Sequence, residues 1–359
     1  MRSGSISDDR RMQATTFDPD RLDSPGGPRP RALTGDRPTG PLHLGHLVGT
    51  LQNRVALQET HRTFVLVADL HMLTTRLDGF GDIGTNIRED VLGNLAVGID
   101  PNKTTIYLQS QVPQTAELFL YFAMLVTVSR AQRIPTLKDK LRELRITRPS
   151  YGLLGYPILQ AADILLMKAG IVPVGPDQAS HVELAREIAR SFNERFAPVF
   201  PAPTALVTRG GTLPGTDGSP KMSRSLGNTI NLFDDEETVR TKVMGMYTDP
   251  SRIRTTDPGH VEGNPVFAYH DAFNADPSAV SDLKARYVAG QVGDVEVKKR
   301  LVVALNSVLA PIRQRRRDLL AENPSVVEDV LRSGAKQARN EAADTISTVR
   351  AAMQLDAFE

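Results

Sequence analysis

Two histidines stand three residues apart in a segment that is rich in glycine and proline. Residues 33–46 run from a predicted strand end, through a turn, into a predicted helix. Because positions three apart share one face of a helix, His43 and His46 can both donate to one anionic oxygen. Free backbone N–H groups and the helix dipole at this terminus also favour a phosphate, and Gly45 leaves room for a flat ring. The alternative is a pair of histidines that only cap a helix packed on the sheet.

A second cluster of cationic and hydroxyl side chains lies much later in the chain. Residues 221–225 have the sequence Lys-Met-Ser-Arg-Ser, and the glycines and prolines of residues 208–228 around them predict a mobile loop. Lys221 and Arg224 can close with such a loop over a ligand and stabilise charge that develops only in the transition state. Taken alone, the pentapeptide is better explained as a solvated surface turn.

A third group of polar side chains shares one face of a predicted helix. At about 100° per residue, Tyr156, Gln160 and Asp163 fall within roughly 60° of one another, among apolar neighbours. A buried carboxylate without a cation is costly unless it accepts hydrogen bonds, and a ligand N–H or O–H could supply one. The alternative is that Asp163 binds local backbone.

Short apolar runs alternate with helical segments from residue 31 onward, and these elements must position the three groups. The predicted strands are residues 31–34, 63–68, 104–108 and 171–174. This alternation predicts an α/β domain with a Rossmann-like, doubly wound parallel sheet. Ligands bind beyond the carboxyl ends of the strands in such sheets, so chemistry is expected in the turns that follow them.

Three regions follow from the pattern along the chain. Residues 1–30 have too few apolar side chains to fold and are predicted to be a disordered extension. Residues 31–230 form the predicted catalytic domain. It ends in the loop of residues 208–228 that carries Lys221 and Arg224, which is called the basic loop below. Residues 231–359 are predicted to be helical, with helices over 236–247, 295–320 and 335–353, the last of which can pack back on the catalytic domain.

Composition excludes several kinds of site. The 359 residues include no cysteine, which removes disulfides, iron–sulfur clusters and cysteine-bound zinc, and no metal site is predicted. No apolar run approaches the roughly 18 residues of a membrane span, so we expect a cytoplasmic protein without membrane contact.

The net charge is only +1, so RNA affinity would need local clusters of cations, for which residues 138–148 and 298–317 are candidates. The alternative is that these cations pair with neighbouring acids.

The first two groups, taken together, have a known counterpart. His-Leu-Gly-His followed by Lys-Met-Ser-Arg-Ser resembles the paired signatures of class I aminoacyl-tRNA synthetases. With residues 155–166 and 171–184 included, the chain resembles the tryptophanyl-tRNA synthetase family over about residues 31–355. Arg224 stands where the family usually has a second lysine and keeps the charge on a wider planar fork. Arg37 replaces a glutamine common in bacterial members, and Leu33 also departs from their pattern.

The resemblance implies an enzyme that joins L-tryptophan to Mg-ATP, releases pyrophosphate and passes the tryptophanyl group to tRNA(Trp). The catalytic residues it implies are His43, His46, Lys221 and Arg224. The implied ATP contacts are Gly35, Asp36, Arg37, Thr39, Gly45, His46, Gly175, Asp177, Lys221, Met222, Ser223, Arg224 and Ser225. The implied tryptophan contacts are Leu33, Gly35, Arg37, Tyr156, Gln160, Asp163, Val172, Val174 and Gln178.

Within these sets the resemblance implies that Asp163 accepts the indole N–H and that Tyr156, Gln160 and Gln178 hold the ammonium and carboxylate end. A site built around one specific N–H strongly rejects substrates that lack it. The resemblance also implies a homodimer whose helical domain binds the tRNA anticodon.

Three alternatives are weighed against this interpretation. Tyrosine-activating relatives share the third group's helix, but they carry a different, glycine-rich version of the turn after residue 174. A small-molecule nucleotidyltransferase can share the histidine turn, but it has no reason to carry the basic serine loop or the helical tail. A paralogue that binds RNA or protein without catalysis would not need both ATP signatures.

Overall fold

The computed structural model of the chain describes most of the sequence. The described residues are 29–75, 83–143, 145–207, 213–250, 252 and 254–357. The predicted disordered extension therefore lies almost wholly outside the described residues, as do residues 208–212 of the predicted mobile loop.

Five parallel strands form one sheet. They are β1 (Arg31–Asp36), β2 (Arg62–Val67), β3 (Thr104–Leu108), β4 (Ile171–Val174) and β5 (Thr204–Val207). Their order across the sheet is β3-β2-β1-β4-β5. The four predicted strands and the doubly wound α/β class are confirmed. The fifth strand was not predicted; it has only four residues, of which the first and last are exposed.

The chain reverses direction across the sheet between β1 and β4. β1 pairs with β2 on one side, with Asp36 opposite Val67, and with β4 on the other, with Ala32 opposite Ile171. Connections leave these two inner strands toward opposite edges, so a crevice opens beyond their carboxyl ends. All three groups of candidate residues lie on elements that border this crevice.

Helices cover both faces of the sheet and form the last third of the chain. Those before β4 are α1 (Leu44–His46), α2 (Gln52–Thr60), α3 (Asp69–Leu73), α4 (Ile83–Val97), α5 (Gln114–Ala123), α6 (Val128–Ala131), α7 (Pro135–Glu143) and α8 (Tyr151–Leu166). Those after it are α9 (Ala179–Arg195), α10 (Glu236–Met244), α11 (Pro265–Phe273), α12 (Pro277–Val288), α13 (Asp294–Glu322) and α14 (Val326–Ala352). The π-helical turn Leu47–Leu51 joins α1 to α2 without a break. None of the described helices is long and apolar enough to cross a membrane.

The hydrophobic core crosses the predicted boundary after residue 230. One buried cluster joins Leu44 of the histidine turn to Ile230 and to Phe267 of α11. The last helix, α14, packs against β3, where a Cβ on Gly334 would lie 1.7 Å from the Ile106 carbonyl oxygen. The hydroxyl of Thr345 also donates to the carbonyl of Leu166 at 2.9 Å. The division into two functional domains stays a prediction.

Candidate active site

Residues 43–46, which carry His43 and His46 and are called the histidine turn below, are held closed by their own side chains. The Gly45 N–H donates to His43 Nδ1 at 3.1 Å, and the His43 N–H donates to His46 Nδ1 at 3.2 Å. The Leu44 N–H donates to the Ile230 carbonyl and the His46 N–H to the His43 carbonyl. The prediction of free backbone N–H groups at this turn is therefore wrong, because the two imidazoles and two carbonyls already accept from them.

The same hydrogen bonds fix what the two rings offer to a ligand. Burial, the neighbouring histidine and nearby cations lower the pKa of His43 to about 3. Burial is also the main cause that lowers the pKa of His46 to about 4. Both rings are neutral at pH 7, and each uses Nδ1 as an acceptor, so the proton of each resides on Nε2. The turn thus presents two imidazole N–H donors in place of backbone amides.

The glycines of this region allow close approach of the backbone. A Cβ on Gly35 would lie 2.4 Å from the carbonyl oxygen of Leu66 in the neighbouring strand. A Cβ on Gly45 would lie 2.9 Å from His43 Cε1 and 3.5 Å from Met222 Sδ. In this conformation the histidine and methionine side chains lie over Gly45, where the sequence analysis expected space for a flat ring.

The basic loop is docked on the histidine turn. The Arg224 guanidinium donates to the carbonyl of Gly40 at 2.5 Å and to the Thr39 hydroxyl. Met222 is buried in the core, whereas Lys221 is exposed. The structure therefore brings together the four residues predicted to be catalytic. The side chain of Ser225 is outside the part that the structure describes.

Pairing of the backbone holds the loop in register with the turn. Residues His43 and Asn231 form an antiparallel bridge. Within the loop, Asn228 accepts from the Ser223 N–H at 2.7 Å and donates to Asp217 at 2.9 Å. The start of the loop also reaches the core, because the Met222 N–H donates to the Leu213 carbonyl. These contacts bring the basic residues to the carboxyl end of β1.

A buried charge cluster supports the turn from below. Arg54 of α2 is fully buried and pairs with Asp36 at 2.7 Å, and it also donates to Thr34 and to Asn94 at 3.1 and 3.0 Å. Burial is the largest single influence on Asp36 and opposes its ionisation, but the charge and hydrogen bond of Arg54, together with His46 and Arg224, outweigh it and lower the pKa of the carboxyl. Burial and the Asp36 charge raise the pKa of nearby Asp90 to about 8. Asp36 is thus held ionised, while Asp90 is held protonated at neutral pH.

The buried Asp163 is bound by side chains that the sequence analysis did not identify. Its carboxylate accepts from Gln109 Nε2 at 2.8 and 2.9 Å and lies 3.0 Å from His71 Nε2. Asp163 is only 2% exposed, and this burial raises the pKa of its carboxyl despite both partners. The donors are not main-chain amides, so the alternative of local backbone binding is wrong. Three bonds from two donors leave one acceptor position on the carboxylate for a ligand N–H.

The other two polar residues of α8 are linked to α9 and α7. The Tyr156 hydroxyl lies 2.9 Å from Thr136 Oγ1 and 3.2 Å from His181 Nε2. The other ring nitrogen of His181 contacts the Gln160 side-chain oxygen. Burial lowers the pKa of His181 to about 4, so the ring is neutral. The face predicted on α8 exists, but its residues belong to two hydrogen-bond networks. Tyr156 and Gln160 are linked through His181, whereas Asp163 is bound by His71 and Gln109.

The end of β4 completes the far side of the crevice. Val172 and Val174 are buried, and so is Leu33 of β1. After β4, Gln178 donates to the exposed Asp177 at 2.9 Å, and a Cβ on Gly175 would lie 2.7 Å from the same carboxylate. Arg37 is exposed, and its guanidinium forms no hydrogen bond or ion pair with another described residue.

Sequence reasoning missed five residues that hold this site together. They are Arg54, His71, Gln109, Thr136 and His181. Two of them had a signal, because Gln109 directly follows β3 and His71 lies shortly after β2, where ligands of a doubly wound sheet are expected. The other three lie within helices and reach the site only through tertiary packing.

Four of the cations of residues 298–317 bind earlier segments of the chain. Lys298 donates to the carbonyl of Met246 at 2.7 Å and Arg313 to that of Asp234 at 2.7 Å. Arg315 donates to the Ala96 carbonyl, and Arg316 pairs with Glu89. These four cations therefore attach α13 to earlier segments of the chain, and the RNA role of residues 298–317 stays a prediction.

The sequence was also compared with known proteins. Residues 27–310 match the family described as "tRNA synthetases class I (W and Y)". The chain is 54% identical over 329 residues to the tryptophan–tRNA ligase of Treponema pallidum, which covers 91% of this chain and 97% of the relative. It is 47% identical over 332 residues to the enzyme of that name from Thermotoga maritima, with 90% and 99% covered.

A solved structure with a similar fold points to the same family as these sequence relatives. The tryptophanyl-tRNA synthetase of Campylobacter jejuni, crystallised with ADP and tryptophan, matches with a TM-score of 0.77 and 33% identity over 90% of this chain and 99% of its own. The matches extend beyond the signatures to both the sheet and the helical third. The chain belongs to the tryptophan–tRNA ligase family of the class I tRNA synthetases.

Proposed function

We propose that the chain joins L-tryptophan to ATP and then charges tRNA(Trp) with the activated amino acid. In the first step a carboxylate oxygen of tryptophan attacks the α-phosphorus of ATP, and the bond to the departing pyrophosphate breaks. In the second step a ribose hydroxyl of the tRNA attacks the acyl carbon and AMP leaves. The observation that carries this proposal is the docking of Arg224 on Gly40 and Thr39, which brings the charges of Arg224 and Lys221 close enough to act on the paired imidazoles of His43 and His46.

The charges around the histidine turn fit a triphosphate. Both imidazoles are neutral donors, so positive charge must come from Lys221, Arg224 and the Mg²⁺ that accompanies ATP. Asp36 is engaged by Arg54, which leaves the phosphates themselves to hold the metal. We infer that Nε2 of each histidine donates to phosphate oxygens, while the two cations stabilise the leaving pyrophosphate. Gly35, Thr39 and the end of β4 would border the nucleoside.

The opposite side of the crevice suits an indole. Leu33, Val172 and Val174 provide apolar walls, and Asp163 retains one acceptor position for the ring N–H. Its carboxylate is already oriented by Gln109 and His71, so an incoming N–H meets an acceptor in a fixed place. The crystallisation of the Campylobacter jejuni relative with ADP and tryptophan supports this assignment.

We further infer a homodimer. Helices α5, α6 and α8 and the residue that follows α5 expose large apolar side chains at Leu120, Met124, Val128 and Tyr151. Leu120 and Met124 are four residues apart and share one face of the helical segment. An exposed apolar patch of this kind is typical of a protein interface, and a second copy of the chain is the partner that the resemblance implies. Analytical ultracentrifugation of Met124→Glu tests this, and a monomeric wild-type chain would contradict it.

The tRNA contact is inferred from exposed cations. Lys138, Arg142 and Arg148 are exposed on and after α7, where Arg142 pairs with Asp139 at 3.6 Å. The same helix carries Thr136, which contacts Tyr156 beside the crevice. This position suits the acceptor end of a tRNA, and we assign the anticodon to the helical third. We infer that the enzyme acts in the cytoplasm, where charged tRNA is used.

The decisive experiment is pyrophosphate exchange into ATP, measured with each of the twenty amino acids. We expect exchange with tryptophan only, followed by transfer of tryptophan to tRNA(Trp) in a second assay. Exchange driven by tyrosine would contradict the assigned selectivity. Exchange without transfer to tRNA would indicate an enzyme that has been put to another use.

A further inference from the structure

A chain of hydrogen bonds links the α8 face to a threonine on α7. It runs from Gln160 through the two ring nitrogens of His181 to Thr136 and Tyr156. Thr136 lies 20 residues before Tyr156 in sequence and is half-buried, whereas His181 and Tyr156 are buried. The proposed function gives no role to Thr136 or His181.

The Gln160 side-chain oxygen lies at one end of this chain of hydrogen bonds, and it determines which group donates in each bond. The contact of Gln160 is through its side-chain oxygen, which can only accept, so His181 must donate from Nδ1. A neutral imidazole has one N–H, so Nε2 of His181 is an acceptor. The Thr136 hydroxyl, the closer of the two at 2.5 Å, donates its proton there. The Tyr156 hydroxyl, 2.9 Å from Thr136 Oγ1, then donates to that oxygen.

We propose that Thr136 and His181 are positioning residues that hold the Tyr156 hydroxyl as a hydrogen-bond acceptor for the α-ammonium of tryptophan. The inference rests on the proposed function and adds to it a specificity for the charge state of the amino acid. With its proton committed to Thr136, the Tyr156 oxygen can offer only lone pairs to a ligand. An ammonium group has three donors and no acceptor, so it is the substrate group that fits.

Two of the surrounding charges, those of Arg37 and Asp177, agree with this direction, while the Lys140 ammonium lies over the Tyr156 ring, 4.0 Å from its centroid. The exposed guanidinium of Arg37 offers the donors that a substrate carboxylate needs, and the exposed carboxylate of Asp177 offers further acceptors for the ammonium. Both charges act on Tyr156, whose pKa is raised mainly by burial. The opposite direction of the bonds would make the Tyr156 hydroxyl a donor to the carboxylate, and an experiment can distinguish the two.

The test compares Thr136→Val with wild type using three ligands. Valine matches threonine in shape but lacks the hydroxyl. The ligands are tryptophan, tryptamine, which lacks the carboxylate, and indole-3-propionate, which lacks the ammonium. Because the chain contains no Trp residue, the indole fluorescence of each ligand reports binding directly. We expect the dissociation constants of tryptophan and tryptamine to rise about tenfold, and that of indole-3-propionate to stay unchanged.

Three further variants separate positioning from general damage. Thr136→Ser keeps the hydroxyl and should restore tight binding of tryptophan and tryptamine. Thr348→Val makes the same change on an exposed turn of α14 and should alter no dissociation constant. In a Tyr156→Phe background, Thr136→Val should add almost nothing, because the two residues act through one hydroxyl.

Two results would overturn the inference while leaving the proposed function intact. Equal weakening of tryptamine and indole-3-propionate would mean that Thr136 only supports the local fold. Weakening of indole-3-propionate alone would mean that Tyr156 donates to the carboxylate. If the wild-type chain bound tryptophan in no assay, the proposed function itself would fail, and this inference with it.

Discussion

The two sides of the crevice between β1 and β4 differ in how their polar groups are satisfied. On the proposed nucleotide side, His43, His46 and Lys221 offer donors or charge beyond the bonds that hold the turn together. On the proposed amino-acid side, Asp163 and Tyr156 are already bound by neighbouring side chains. A polyanion needs an excess of donors, whereas selection of a small neutral ring needs a few acceptors in fixed directions. The comparison predicts that mutations on the two sides affect different steps.

The largest expected effect comes from the charge cluster below the histidine turn. Arg54→Met would leave the Asp36 carboxylate buried without its cation and should lower the free energy of unfolding by about 3 kcal/mol. Urea denaturation of the variant and of wild type measures this. Arg332→Met, at an exposed arginine on α14, is the matched control. Unchanged stability of Arg54→Met would show that the nucleotide side does not depend on this pair.

Loss of the exposed lysine in the basic loop should affect chemistry without affecting amino-acid binding. Lys221→Ala should slow pyrophosphate exchange by about 10²- to 10³-fold, since one donor to the leaving group is lost. The dissociation constant of tryptophan should stay within a factor of two of wild type, as should the rate for the control Lys336→Ala. Equal losses in rate and tryptophan affinity would break the proposed separation of the two sides.

For the buried carboxylate of Asp163 we expect the opposite result, in which amino-acid binding weakens and nucleotide binding does not change. Asp163→Asn keeps the shape but replaces one acceptor oxygen with a donor group, so tryptophan binding should weaken by about 1 to 3 kcal/mol. The dissociation constant of ATP should not change. Fluorescence titration with tryptophan and calorimetry with ATP measure the two quantities. A variant that loses ATP affinity as well would contradict the assignment of Asp163 to the amino-acid side alone.

The last prediction concerns the pH dependence of stability. Because burial raises the pKa of Asp90 to about 8, the folded chain retains a proton that the unfolded chain releases at much lower pH. This contribution to stability is complete in acid and declines by about 1.4 kcal/mol per pH unit as the pH rises toward 8. Asp90→Asn should therefore flatten the loss of unfolding free energy between pH 6 and 8. A slope equal to that of wild type would show that Asp90 is already ionised in the folded chain.

The sequence predicted the fold better than the site. Four of the five strands and the helical third follow from apolar periodicity, which is local information. The candidate residues were found because histidine, lysine and aspartate stood out by type and spacing. The partners of those residues could not be found in the same way: His71 lies 92 residues from Asp163, and Arg224 lies 184 residues from Gly40.

The sequence by itself determined which groups are present and which face of an element they share. It placed His43 beside His46 and put Tyr156, Gln160 and Asp163 on one helix. Only the tertiary structure decided which hydrogen-bonding capacity of each group is already used and which remains for a ligand. The physical reason is that a buried polar atom must find a partner wherever folding brings one, and strand order and helix packing, rather than distance along the chain, determine which partner that is.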